Sequence, residues 1–222
     1  MIKVSDVVEQ LINRSPFLRE AMADGLINAS ALARKLRPRV RAILKKEVQQ
    51  GAVLMAIKRL PYEAPAVNPR RLRNFLRKLT DISVRSNLVD YTFRHSDTLL
   101  KKQSTLLGII SDHPNSFYTF SRGIGETTII ITEDLAAPLE NLFAEETLLD
   151  KRIDLASITL MLPEENRSLY GVYYAILKVL AWEGINLVEL ISTSNEFTVI
   201  VRQEDLDVAF RVLTELRKQD LA

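Results

Sequence analysis

A strand–helix–strand–strand–helix order that occurs twice, with a period of about 65–70 residues, constrains this chain more than any other feature. The first pass begins with extended, partly alternating stretches at Ile82–Arg85 and Leu88–Phe93. Helical spacing follows over Leu99–Ile110, then two short strands, Phe117–Phe120 and Thr127–Ile131, around the hairpin signal Gly123-Ile124-Gly125. A helix over Leu135–Glu146 closes the pass. In the second pass Ile158–Leu162 reads as a strand, and Tyr170–Trp182 as a helix ended by Gly184. Strands at Leu187–Ser192 and Phe197–Val201 follow, joined through Thr193-Ser194-Asn195-Glu196, and then a helix over Asp205–Lys218. This order predicts two βαββαβ units, each an antiparallel sheet with both helices on one face. Either unit alone leaves sheet edges open, so pairing of the units or of two chains, as a homodimer, is expected.

The residues ahead of the repeat have helical periods only. Val4, Val7, Val8, Leu11 and Ile12 make one apolar stripe, and Ser15-Pro16 breaks or restarts it. Asn28 or Ser30 can cap a further helix bearing Leu32, Leu36, Val40 and Leu44, which Pro38 is expected to kink or divide. A short helix spans Ala52–Leu60, Pro61, Pro65 and Pro69 break regular structure, and the Arg-rich piece Asn68–Leu79 resumes as a helix. The expected architecture is α+β, with an N-terminal helical domain at 1–79 and tandem ferredoxin-like βαββαβ units at 80–150 and 151–222.

Charge divides along the same line. Residues 1–79 carry 17 Lys/Arg against 6 Asp/Glu, a net of +11, whereas the rest carries 13 against 22, a net of −9. A basic segment attracts polyanions, nucleic acid foremost, and it can equally dock on an acidic partner. There is no cysteine, which excludes disulfides and thiolate metal sites and fits a reducing cytoplasm. No apolar run approaches the roughly 18 residues of a membrane span, and acidic Asp6 comes too early for a signal peptide. His95 and His113 stand alone, with no metal-ligand spacing, no nucleophile elbow and no P-loop elsewhere. Neither a metal nor another cofactor is expected, and no catalytic residue is assigned.

The segment Ile158–Leu216 resembles an ACT domain of the kind found at the regulatory end of aspartokinases and in stand-alone amino-acid sensors. The likeness rests on Tyr170-Gly171-Val172, Trp182-Glu183-Gly184-Ile185-Asn186, Ile191-Ser192-Thr193-Ser194, Phe197–Val201 and Glu204–Phe210. Residues 84–147 resemble a degenerate tandem partner by element order. The loop Pro163–Leu169 is longer than in many such units, and Asn195 stands where Glu is common. The resemblance implies a ferredoxin-like fold, dimerisation and a small amino-acid ligand, with no kinase activity. The implied contacts are Ser168, Leu169, Tyr170, Gly171 and Val172 at the helix start, with Glu189 and Ser194 nearby. A helix start opened by glycine presents backbone N–H groups to a carboxylate. On the plainer reading, Gly171 is a packing glycine and the Ser-Thr-Ser run belongs to a turn.

The N-terminal helices resemble a winged-helix or helix-turn-helix unit more loosely, through Ala31–Leu36 and Val48–Leu60. In such a unit Gln49 and Gln50 read base edges, while Arg34, Lys35, Lys58 and Arg59 hold phosphates. Two functions are therefore expected to compete: a ligand-sensing regulator that reports to DNA, and a dimerising interaction module that binds no ligand.

Overall fold

The computed structural model describes residues 2–23, 25–60 and 69–218. The chain divides into two compact units, one up to residue 68 and one from Pro69 onwards. The break expected at Pro61 and Pro65 lies outside the described residues.

The first unit is helical throughout its described residues: α1 (Val4–Asn13), α2 (Pro16–Ala23), α3 (Ala29–Leu44) and α4 (Gln50–Arg59). Its core joins Val7, Val8, Leu11 and Ile12 of α1 to Leu32, Ala33, Leu36 and Val40 of α3 and to Val53, Ala56 and Ile57 of α4. Asn28 caps α3, its Oδ1 accepting the N–H groups of Ser30 (3.0 Å) and Ala31 (3.1 Å). The helix runs through Pro38 undivided, so of the expected kink or division the division does not occur. Buried residues on either side, Leu36 and Val40, anchor it to the core, and tertiary packing outweighs the lost N–H. No strand occurs among the described residues of this unit, so the winged-helix expectation finds no wing there.

The second unit opens with α5 (Pro69–Arg77), which groups with the sheet, not with the helices before it. The elements that follow are β1 (Ile82–Arg94), α6 (Leu99–Ser111), β2 (Tyr118–Arg122), β3 (Glu126–Thr132), α7 (Ala136–Leu142), β4 (Leu148–Met161), α8 (Val172–Trp182), β5 (Glu189–Ser192), β6 (Glu196–Arg202) and α9 (Leu206–Leu216). All strands belong to one antiparallel sheet ordered β2-β3-β1-β4-β6-β5.

β1 and β4 are twice the usual strand length, and each serves both repeats. The second half of β1, the hairpin β2–β3 and the first half of β4 complete one βαββαβ unit. The second half of β4 and the hairpin β5–β6 make the other, whose fourth strand is the first half of β1, with Ile82 opposite Leu160 and Arg85 opposite Ser157. The expected pair of self-contained units is thus one sheet with exchanged strands, and β4 crosses residue 150 unbroken.

The two faces of the sheet differ. Val89, Tyr91 and Phe93 alternate toward α6 and α7, sharing a core with Leu99, Leu106, Ile129, Ile131, Leu139 and Phe143. The Tyr173 ring meets Phe197 at 4.8 Å, placing α8 on the corresponding face of the second repeat. The opposite face carries Leu88, Ile130, Leu155 and Ile200, which are buried together with Phe117, Val188 and Ile191 against them. Among the described residues no helix contributes a side chain to that cluster.

Candidate functional site

Loop, helix start and hairpin turn meet at one end of the second repeat. After β4, the Leu162 N–H donates to the Asn195 carbonyl (2.7 Å). Asn166 Nδ2 reaches the Ser194 carbonyl at 3.5 Å, so the long Pro163–Leu169 loop is tied to the β5–β6 turn. Gly171 precedes α8 with φ 89, a left-handed conformation that a side chain would strain. A helical bond runs from the Ala175 N–H to the Gly171 carbonyl (3.0 Å), with the amides of Val172 and Tyr173 ahead of it, and no side chain of the N-cap residue caps this start.

The residues expected to hold a ligand are placed unevenly around that point. Gly171 and the Val172 backbone sit at the helix start, but the Val172 side chain is buried. Tyr170 is 74% exposed, Leu169 half-buried, and the Ser168 hydroxyl donates to the Glu165 carbonyl (3.2 Å). Ser194 lies in the adjoining turn and is exposed. Glu189 is not part of this group. It pairs with Ile200, whose side chain belongs to the helix-free face, and directly paired residues share a face. Two contacts that sequence reasoning missed hold the site together: the Asn166 tether, and a hydrogen bond between Tyr173 Oη and Ser192 Oγ at 2.8 Å.

The matching helix start in the first repeat is built differently. Glu146, with a side chain only 2% exposed, lies beside the start of α6. Thr98 Oγ1 donates to it at 2.6 Å, Ser96 Oγ donates as well, and Lys102 Nζ stands at 3.1 Å. Ser96 Oγ also accepts the Leu99 N–H (3.1 Å). Burial works to raise the Glu146 pKa, but the two hydroxyls and the ammonium outweigh it and hold the carboxyl below its ordinary value. This fold therefore seats a carboxylate beside a first helix. Nothing in the local sequence marks Glu146, since the contact spans about fifty residues.

Asp90 is the second functional group that sequence reasoning missed. It is 4% exposed on the helix-free face, and its Oδ1 has no hydrogen-bond partner among the described residues. Burial, then Glu189 and Asp150, push its pKa up to about 6, against the pull of Arg152. A visible signal existed: an acid in the middle of the apolar run Leu88–Phe93. No group of three His, Cys, Asp or Glu that could hold a metal occurs among the described residues. His95 ties its Nε2 to the Glu126 carbonyl at 2.8 Å.

In the helical unit, Arg34 and Lys35 are exposed on α3, Gln49 is the exposed N-cap of α4, and Gln50 is half-buried. Lys58 and Arg59 occupy the last turn of α4. The glutamines and these two cations are separated by about 13 Å of helix. No helix of the described residues is long and apolar enough to cross a membrane.

No family model and no curated protein matches the chain. Solved structures do. The structure of aspartokinase alpha and beta subunits aligns at 17% identity over 64% of this chain and 99% of the other, with a TM-score of 0.51. The regulatory subunit of aspartate kinase from Thermus thermophilus, in ligand-free form, aligns at 14% identity over 62% of this chain and 97% of its own, TM-score 0.50. Aspartate kinase from Clostridium acetobutylicum, described as an allosteric enzyme, aligns at 13% identity over 62% of this chain but only 34% of its own, TM-score 0.52. With 13–17% identity the likeness is one of fold. The sheet unit has the ACT-type fold of the aspartokinase regulatory module.

Proposed function

We propose that the protein is a non-catalytic, cytoplasmic regulator. Its tandem ACT-type unit binds a small amino acid beside the start of α8, and its basic helical segment reports to DNA. The observation that carries the reading is the contrast between the two repeats. The start of α6 adjoins a protein carboxylate, Glu146, whereas α8 begins at left-handed Gly171 with no side-chain cap. The carboxylate of an amino acid would accept from the amides of Val172 and Tyr173, with Tyr170 and Ser194 at the rim. Glu189, on the other face, would act only through the strand. Allosteric behaviour in the Clostridium enzyme and a regulatory subunit in Thermus support this use of the fold.

The competing reading, a dimerising module without a ligand, draws on the Tyr173–Ser192 and Asn166–Ser194 contacts. They already link the segments a ligand would bridge.

A melting screen against the twenty amino acids separates the two readings, because a ligand that binds only the native state raises the transition. One or a few amino acids should shift it, and Gly171→Asp should abolish that shift while a folded protein remains. No shift with any amino acid would decide for the structural reading.

A further inference from the structure

The thirteen residues Arg34–Lys46 hold seven cations and no carboxylate. All seven side chains are exposed, while Leu36 and Val40 turn into the core. Arg34, Arg37 and Arg41 follow at spacings of three and four and so share one side of α3; Lys45 continues the line at the helix end. Seven charges over about 20 Å are one per roughly 3 Å, comparable with the one phosphate per roughly 3.4 Å along a single strand of duplex DNA. An open groove of about 570 Å³ runs along this side, with the short side chains Pro38 and Ala42 among Arg37, Arg41, Lys45 and Lys46.

One oxyanion is already seated there. The Glu47 carboxylate lies 3.0 Å from Arg41 Nη2, with both side chains more than half exposed. Such a surface pair is weak, and a phosphate can replace it. The partial charge of a helix C-terminus calls for one or two cations, not seven, and like charges at these spacings weaken the helix itself. Docking on a protein would call for an aromatic or apolar anchor at the centre of the surface; Arg34–Lys46 contains no aromatic residue, and its one exposed large apolar side chain, Ile43, falls on the side of α3 opposite Arg34 and Arg41.

We propose that this side of α3 binds the phosphate backbone of DNA without reading sequence, with Arg34, Arg37, Arg41 and Lys45 as the phosphate contacts. The inference rests on the DNA reading above and moves its main contact from the start of α4 to α3. Glu47 acts as a competitor for Arg41.

The test is fluorescence anisotropy of the full chain with a random-sequence duplex of about 20 base pairs, at several salt concentrations. Four phosphate contacts give a slope of log affinity on log salt of about −3.6, a loss of roughly a hundredfold between 50 and 200 mM. R37E/R41E/K45E should cost at least about thirtyfold and flatten the slope to about −1, with R37Q/R41Q/K45Q as a milder check should the reversal not fold. E47Q should bind a few-fold more tightly, and Q49A/Q50A should bind as the parent does. Binding that survives both triple variants but is lost on Q49A/Q50A or K58E/R59E overturns the α3 assignment and leaves the DNA reading standing. A parent chain that does not bind at 50 mM salt overturns both. If the triple variants instead lose only self-association in light scattering, the partner is a second copy and the proposal fails.

Discussion

Asn87 and Asp154 hold matched left-handed backbone positions, φ 57 and φ 55, each one residue before the leucines that face each other across β1 and β4, Leu88 and Leu155. A local two-fold relation therefore passes between those leucines, and it exchanges the two repeats. Arg85 stands opposite Ser157 just as Arg152 stands opposite Asp90. Threonine pairs recur as well, Thr92 with Thr128 at 3.2 Å and Thr159 with Thr198 at 2.7 Å. At Asn87 and Asp154 the long strands break register, and β1 goes from pairing with β4 alone to pairing with β3 as well.

Asn and Asp tolerate the left-handed region because their short polar side chains can hydrogen-bond locally, whereas a β-branched residue there is strained. Asn87→Val and Asp154→Val should each lower stability by about 1–2 kcal/mol, and glycine at either place should cost little. Urea unfolding of the four variants reads this directly. Valine variants as stable as the parent would mean that the strands can pair without the left-handed step.

Glu146 gives a second prediction. Replacing it with alanine leaves Lys102 and two hydroxyls without their shared acceptor, and should cost about 2 kcal/mol near neutral pH. Since its pKa in the folded protein is lowered, its contribution is present above the ordinary carboxyl range and is lost as pH falls through the folded value. The deficit of Glu146→Ala should therefore shrink on strong acidification. A deficit equal at pH 7 and pH 3 would assign Glu146 a packing role only.

The order of elements was legible because apolar residues alternate or recur at helical spacing wherever an element has one buried side. Two things were not. Leu148–Ile153 has every side chain exposed and three consecutive charges, Asp150, Lys151 and Arg152, so no period distinguishes it from a linker; its strand conformation comes from pairing with β1. Strand exchange between repeats is likewise invisible, because it depends on which edge the first half of β1 meets. At the candidate site, Gly171 could be read from the sequence because its backbone needs no side chain. The face on which Glu189 falls could not, since a change of one residue in register reverses it. The cations of α3 were visible as composition, but only the intact helix through Pro38 aligns Arg34, Arg37 and Arg41.

Assembly is a third prediction. β2 and β5 are the two edges of the sheet, and Leu100, Leu107 and Trp182 leave apolar surface on α6 and α8. Light scattering at micromolar concentration should return twice the chain mass. A monomer at high micromolar concentration would count against the dimer.

The fourth prediction concerns Asp90. Removal from water is the main cause of its raised pKa, Glu189 and Asp150 add to it, and Arg152 opposes them. With a folded pKa of about 6 against 3.8 when unfolded, the folded state holds the proton more tightly. Below pH 4 both states are protonated and Asp90 costs nothing. Between pH 4 and 6 the unfolded chain ionises first and a penalty grows; above pH 6 it levels off at up to about 3 kcal/mol. Asp90→Asn keeps the shape and removes the charge, so it should stabilise the protein at pH 7–8, with the gain fading between pH 6 and 4. Glu189→Gln should recover a smaller part of the same gain. Thermal melts of the parent and both variants across pH 4–8 decide the matter. If Asp90→Asn instead melts below the parent at pH 7, the attraction of Arg152, which stands opposite Asp90, outweighs the cost of taking the carboxylate out of water.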